Sequence, residues 1–195
     1  TSSLGAEELV DLCGDPEHFL VALPFQPVHL QPLVEVVPCG ATTEDTMARA
    51  KALLERLGRQ VVTLKKSVPG FLVNRFAQAL FRESLDLLEK DVATPADIDR
   101  AVKYAVGMRY ASIGLLEYFD AVGFELERAI AENVYPTLCN TDKIQKIVSD
   151  GIRDGRTGQK AGEGLYRWDE DSLADFRVRL QEPFLKSVEN WTARK

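Results

Sequence analysis

Apolar positions run together at two places early in the chain, Phe19 to Leu23 and Leu33 to Val37, and later recur at spacings of three and four. Short apolar runs bounded by breakers predict strands, the second of them Val- and Leu-rich with a single acid, Glu35, inside it. Pro24, Pro27 and Pro32 lie around the connection. Proline has no ladder donor, so this loop is expected to leave the sheet or run at its edge. Thr42 with Asp45 gives a capping-box pattern, Met47, Ala50, Leu54 and Leu57 follow at helical spacing up to Gly58, and Val61 to Leu64 supplies a further strand. Residues 6 to 13 are short and mixed. Strand, loop, strand, helix, strand predicts the closing part of a three-layer α/β domain. A doubly wound dinucleotide domain also needs a first strand, a glycine-rich turn and a helix, and none of these precedes the pattern.

From Gly70 onward the pattern is helical. Phe71, Leu72, Phe76, Leu80, Leu87 and Leu88 mark a long amphipathic helix with Arg75, Arg82, Glu83 and Asp86 off its apolar stripe. Thr94-Pro95-Ala96-Asp97 is a start signal, with Thr94 as cap and Pro95 in the first turn, and Gly107 is expected to stop that helix. Further helices are predicted around 113–121, 124–135, 142–154 and 170–190. The expected architecture is an α/β remnant, the end of a Rossmann-type domain, over residues 1–66, followed by an all-α domain over 67–195.

A net charge of −6 without a basic run argues against nucleic acid or an anionic membrane as the main partner. No apolar run approaches the length needed to span a bilayer, and the amino terminus lacks the regions of a signal peptide. Cys13, Cys39 and Cys139 are odd in number and widely separated, which predicts reduced thiols in the cytoplasm and neither a disulfide framework nor a metal site. The run Gly155 to Gly164 is rich in glycine, but no apolar strand leads into it, so it is not taken as a nucleotide loop.

Four segments carry a resemblance. Phe19-Leu-Val-Ala-Leu-Pro-Phe-Gln-Pro27 with Pro32-Leu-Val-Glu-Val-Val37 resembles the G-H-P-F-N-P and P-L-V-E-V-V signature of the NAD-dependent 3-hydroxyacyl-CoA dehydrogenases. Val68-Pro-Gly-Phe-Leu-Val-Asn-Arg75 resembles the family's P-G-F-x-x-N-R, and Gly158-Gln-Lys-Ala-Gly-Glu-Gly-Leu-Tyr166 its G-x-K-x-G-x-G-F-Y. Gly107-Met-Arg-Tyr-Ala-Ser-Ile-Gly114 resembles the segment before its G-P-x-E turn, in wording similar to the branch of lambda-crystallin and L-gulonate dehydrogenase. The resemblance implies an amino-terminally truncated member, and the opening Thr1 is read as a processed or cut chain.

In that family a histidine removes the hydroxyl proton, a glutamate orients it, serine and asparagine hold the substrate oxygen, and NAD accepts the hydride. The resemblance therefore implies Glu35 as the orienting acid, Asn74 as the asparagine, and Ser2 or Ser3 as the serine. Leu23 stands at the histidine position and Gln26 at the asparagine of the signature. Leucine has no titratable proton, and loss of a general base costs on the order of 10² to 10⁴ in rate. His29, six residues on, is the candidate replacement, against a loop histidine bonded only to backbone; His18 is the other histidine. A carboxylate in an apolar strand needs a partner, so Glu35 either lines a pocket or bonds backbone amides. Arg109, with Tyr110, and Lys160 are candidates for substrate contacts, against packing and solvated loop roles.

Three functions follow as expectations. The first is the carboxyl-terminal portion of a 3-hydroxyacyl-CoA or hydroxy-acid dehydrogenase, impaired in redox chemistry, acting on a small molecule as a homodimer and completed by an amino-terminal segment; NAD is its family cofactor and is not expected to bind this chain alone. The second is a repurposed isomerase, lyase or cyclase using Glu35, His29 and Asn74. The third is a non-enzymatic dimerisation module.

Overall fold

The structure, a computed structural model, describes residues 5–192, with side chains as far as Lys186. The chain divides into two compact units, one of the residues up to Gln78 with those from Asp169 onward, the other Ala79–Trp168.

In the first unit, α1 (Ala6–Val10) precedes β1 (Leu20–Pro24), β2 (Leu33–Pro38), α2 (Glu44–Arg56) and β3 (Gln60–Thr63). β1 pairs antiparallel with β2, and β2 pairs parallel with β3, giving the order β1-β2-β3. The apolar runs thus form the strands they predict, and the proline-bearing loop leaves the sheet. The strand alternation places Val21, Leu23, Glu35, Val37 and Val62 on one face. There Val21 and Val37 join Ala6, Cys39, Leu64 and Phe71 in a buried core, with Leu23 and Val62 packed against it. α2 packs along β2 and β3. Its cap is Thr43, not Thr42: the Thr43 hydroxyl accepts from the Thr46 amide at 3.2 Å. Thr42 is drawn elsewhere, donating to Phe19 O at 2.6 Å and accepting from the Cys39 amide at 2.8 Å. α9 (Glu170–Thr192) closes the unit, its start tied by Asp169, whose carboxylate accepts from the Ser172 amide at 2.8 Å. Those contacts from Ser172 hold the Asp169 carboxyl below its ordinary range.

The amphipathic run after Gly70 forms α3 (Val73–Glu89). In the second unit, α4 (Pro95–Ala101) begins where Thr94 and Pro95 predict, with the Thr94 hydroxyl accepting from the Asp97 amide. Gly107 does not stop it. The chain continues through a π-helical turn, Val102–Gly107, into α5 (Met108–Ser112). A Cβ at Gly107 would stand 3.2 Å from Val102 O, so glycine here accommodates the wide turn rather than ending the helix. α6 (Leu115–Val122), α7 (Phe124–Val134) and α8 (Lys146–Arg153) complete the helical set. Side chains of α3 fix the connections: Glu83 accepts from the Cys139 amide at 2.8 Å, Glu89 from the Ile147 amide at 2.7 Å, and Gln145 donates to Arg82 O at 2.8 Å.

The fold is therefore a small α/β remnant with an all-α portion, and among the described residues no helix is long and apolar enough to cross a membrane.

Candidate functional site

Leu23 and Glu35 are directly paired across the antiparallel ladder, so their side chains share a face of the sheet. Glu35 is fully buried. Its partners come from 37 and 38 residues further along. Gly70 and Phe71 both take left-handed backbone, φ 79° and 49°, which turns the chain as it enters α3. A non-glycine residue pays for that conformation, and Phe71 offsets the strain by complete burial in the core. The turn aims the first amides of α3 at the sheet: Leu72 N and Val73 N donate to Glu35 Oε1 at 2.8 and 2.9 Å. A carboxylate is well placed at a helix amino terminus, where orphan amides and the helix dipole favour negative charge. Glu35 is thus the amino-terminal cap of α3, supplied across the fold. Glu35 Oε2, equally buried, has no hydrogen-bond partner among the described residues. Asn74, half-buried, follows Val73 in the same first turn, so α3 brings it beside the residues that Glu35 holds.

The other candidates are placed differently. Gln26 and His29 are exposed on the loop between β1 and β2, and among the described residues His29 makes no side-chain hydrogen bond or ion pair. Arg109 and Lys160 belong to the second unit. The Arg109 guanidinium lies over the Tyr118 ring, 4.5 Å from its centroid, with Tyr110 edge-on to the same ring. Lys160 is exposed on a single 3₁₀ turn, Gln159–Ala161. Ser2 and Ser3 lie outside the described residues. The glycine-rich segment is a folded crossing of backbone: the Gly158 amide donates to Glu163 O at 2.7 Å, and a Cβ at Gly164 would fall 2.9 Å from Gly158 Cα. Its last residue, Tyr166, donates to Asp99 Oδ2 at 2.6 Å; burial and then that carboxylate push the phenol up to about 12.

Sequence reasoning missed the amides of Leu72 and Val73, because a backbone donor leaves no residue signature. It also missed Arg59, for which a cation directly after the Gly58 stop was the available sign.

A pyrophosphate cradle needs free amides at a strand end and a helix start. The parallel unit β2-α2-β3 is where such a site belongs, at the strand ends and the helix start. There the Gly40 amide is already taken by Glu7 Oε1 at 2.7 Å, and Glu44 and Asp45 occupy the first turn of α2. A recess of about 600 Å³ opens at this end, with Glu7 and Glu44 in its lining beside Lys51, Lys65 and Lys66. The recess thus carries both signs of charge, with the carboxylates at the helix start and the lysines around it.

Comparison with known proteins adds the lineage. Residues 1–67 match the family model described as 3-hydroxyacyl-CoA dehydrogenase, NAD binding domain, and residues 70–168 match 3-hydroxyacyl-CoA dehydrogenase, C-terminal domain. The chain is 38% identical over 188 residues to L-carnitine dehydrogenase of Burkholderia mallei, covering 90% of this chain and 58% of that protein. It is 31% identical over 166 residues to 5-formyl-3-hydroxy-2-methylpyridine 4-carboxylate 5-dehydrogenase of Mesorhizobium japonicum, covering 85% and 54%. A crystal structure of the enzyme of that name, described as an NAD⁺-dependent dismutase, superposes with a TM-score of 0.94 at 27% identity over 100% of this chain and 63% of its own. The chain spans somewhat over half the length of these relatives.

Proposed function

We propose that this chain, which belongs to the 3-hydroxyacyl-CoA dehydrogenase family, is the sheet-end and helical portion of a hydroxyacyl-CoA or hydroxy-acid dehydrogenase-like protein whose NAD-dependent redox chemistry is impaired. The observation that carries the reading is the Leu23–Glu35 pair. In the family's plan the acid orients a histidine; here the residue paired across the strands is leucine, one carboxylate oxygen serves the start of α3, and the other has no partner among the described residues. Removal of a general base lowers the rate by on the order of 10² to 10⁴. The substrate class is a small hydroxy acid or its thioester, in keeping with the relatives' names. NAD binding requires a complementary amino-terminal segment, because the helix start that this chain offers carries acids.

Two further expectations belong to this reading. Helical faces bearing exposed Leu116, Phe124 and Tyr135 support a homodimer, and three free thiols suit a reducing, cytoplasmic setting. A second reading, a non-redox isomerase, lyase or cyclase, is favoured by the retention of Glu35, and of Asn74 in the first turn of the helix that Glu35 caps, without the histidine.

The test is calorimetric titration of NAD into this chain alone and into the chain mixed with the amino-terminal NAD-binding segment of the Burkholderia mallei relative. The reading expects saturable binding only in the mixture, weak turnover of L-carnitine there, and a rise of on the order of 10²-fold on Leu23→His. Saturable binding by the chain alone, or full turnover with Leu23 in place, overturns it. Absence of binding in both samples turns the choice to the non-redox reading.

A further inference from the structure

We propose that Arg59 is a positioning residue for the loop between β1 and β2, the segment that carries Gln26 and His29. This loop is short of donors of its own. Pro24, Pro27 and Pro32 bring no amide hydrogen, and its internal bonds all converge on one carbonyl, with Leu30 N and Gln31 N donating to Pro27 O at 3.0 and 2.8 Å. The carbonyls of Val28 and Gln31 find their donor elsewhere. Both accept from Arg59 Nη1, at 2.9 and 3.2 Å.

The local chain explains how Arg59 reaches them. α2 closes with Gly58 N donating to Glu55 O and Arg59 N to Leu54 O, a helix-end pattern that turns the chain back towards the sheet. The next residue, Gln60, opens β3 and donates its amide to Pro32 O at 3.0 Å. Arg59 and Gln60 therefore hold the loop at three carbonyls, Val28, Gln31 and Pro32. Among the described residues Arg59 has no ion-pair partner, and its half-buried guanidinium is committed to the loop rather than to an acid. Arginine is suited to this because its charge persists at any working pH and its planar group holds two acceptors in fixed directions; lysine reaches them as a mobile point charge.

That the loop belongs to a functional site rests on the reading above, whereas its ordering by Arg59 does not. The experiment is amide hydrogen exchange by mass spectrometry on the whole chain, comparing the natural protein with Arg59→Met and Arg59→Lys, together with the His29 ring resonances by NMR. Loss of two bonds from a charged donor predicts roughly tenfold or faster exchange across residues 25–32 in Arg59→Met. Exchange in β2 should be unchanged, the His29 ring resonances should change with the conformation of their loop, and Arg59→Lys should restore part of both effects. Unchanged loop exchange in a folded Arg59→Met protein overturns the assignment. So does equal acceleration of loop and β2 without rescue by lysine, which is general destabilisation. The NAD titration does not involve Arg59, so failure of the family reading and failure of this one are separable.

Discussion

The sheet unit gathers a cluster of fully buried apolar side chains around its strands, though it also exposes others such as Leu57 and Val178, whereas Ala79–Trp168 leaves most of its apolar side chains at the surface. Ala6, Val36, Val37 and Phe71 are fully buried around the strands, with a carboxylate among them. In the helical unit Leu85 is the buried large apolar side chain among the described residues, while Leu116 is 82% exposed and Phe124 70%. Polar ties join its segments, with Glu83, Glu89 and Gln145 bonding backbone groups of Cys139, Ile147 and Arg82. The helical unit has amphipathic faces whose apolar side is exposed among the described residues, the feature on which the proposed homodimer rests.

The difference can be broken most strongly at Phe71. Phe71→Ala should lower the unfolding free energy by about 3 to 5 kcal/mol in urea titration, because a full ring leaves a packed site. A loss below about 1 kcal/mol would mean that the core is looser than its burial implies. Glu35→Ala should cost about 2 to 3 kcal/mol, since two amides lose a charged acceptor. Hydrogen exchange should place that damage at Leu72 and Val73.

Smaller effects belong to the helical unit. Tyr166 has a raised folded pKa, so its neutral form is favoured in the folded state. The associated stability is present below the ordinary tyrosine pKa of about 10 and is lost as pH rises through about 12. Tyr166→Phe should flatten the stability profile in that window, as read by chemical denaturation at stepped pH. Leu116→Ser, at an exposed position, should change unfolding by no more than about 0.5 kcal/mol. It should nevertheless shift sedimentation towards the monomer, and an unchanged sedimentation coefficient would remove Leu116 from the proposed interface.

Much of the sheet unit was legible because its signals are local. Consecutive apolar residues between prolines gave β1 and β2, and Thr94-Pro95 gave the start of α4. Errors arose where two residues compete for one role. Thr42 and Thr43 offer the same hydroxyl, and only the tertiary bond from Thr42 to Phe19 O releases Thr43 to cap α2. Gly107 carries the composition of a stop yet serves a close approach to Val102 O. The site divides in the same way. Leu23, Glu35 and Asn74 were visible as residue types, but the pairing of the first two depends on the strand register, and the meeting of Glu35 with the first turn of α3 depends on two left-handed residues at Gly70 and Phe71. Nothing in the identity of a phenylalanine announces that backbone.

The central claim is that Glu35, paired with Leu23 across the strands, retains a buried oxygen without a hydrogen-bond partner among the described residues, and it is tested most directly by Leu23→His followed by NMR titration of the introduced imidazole. The account predicts that the ring donates to Glu35 Oε2 and titrates above the ordinary histidine value of about 6.5. The stability gained from the charged pair would then be complete below that value and lost as pH rises through the raised pKa. An imidazole that titrates at or below the ordinary value in a folded protein would contradict the account.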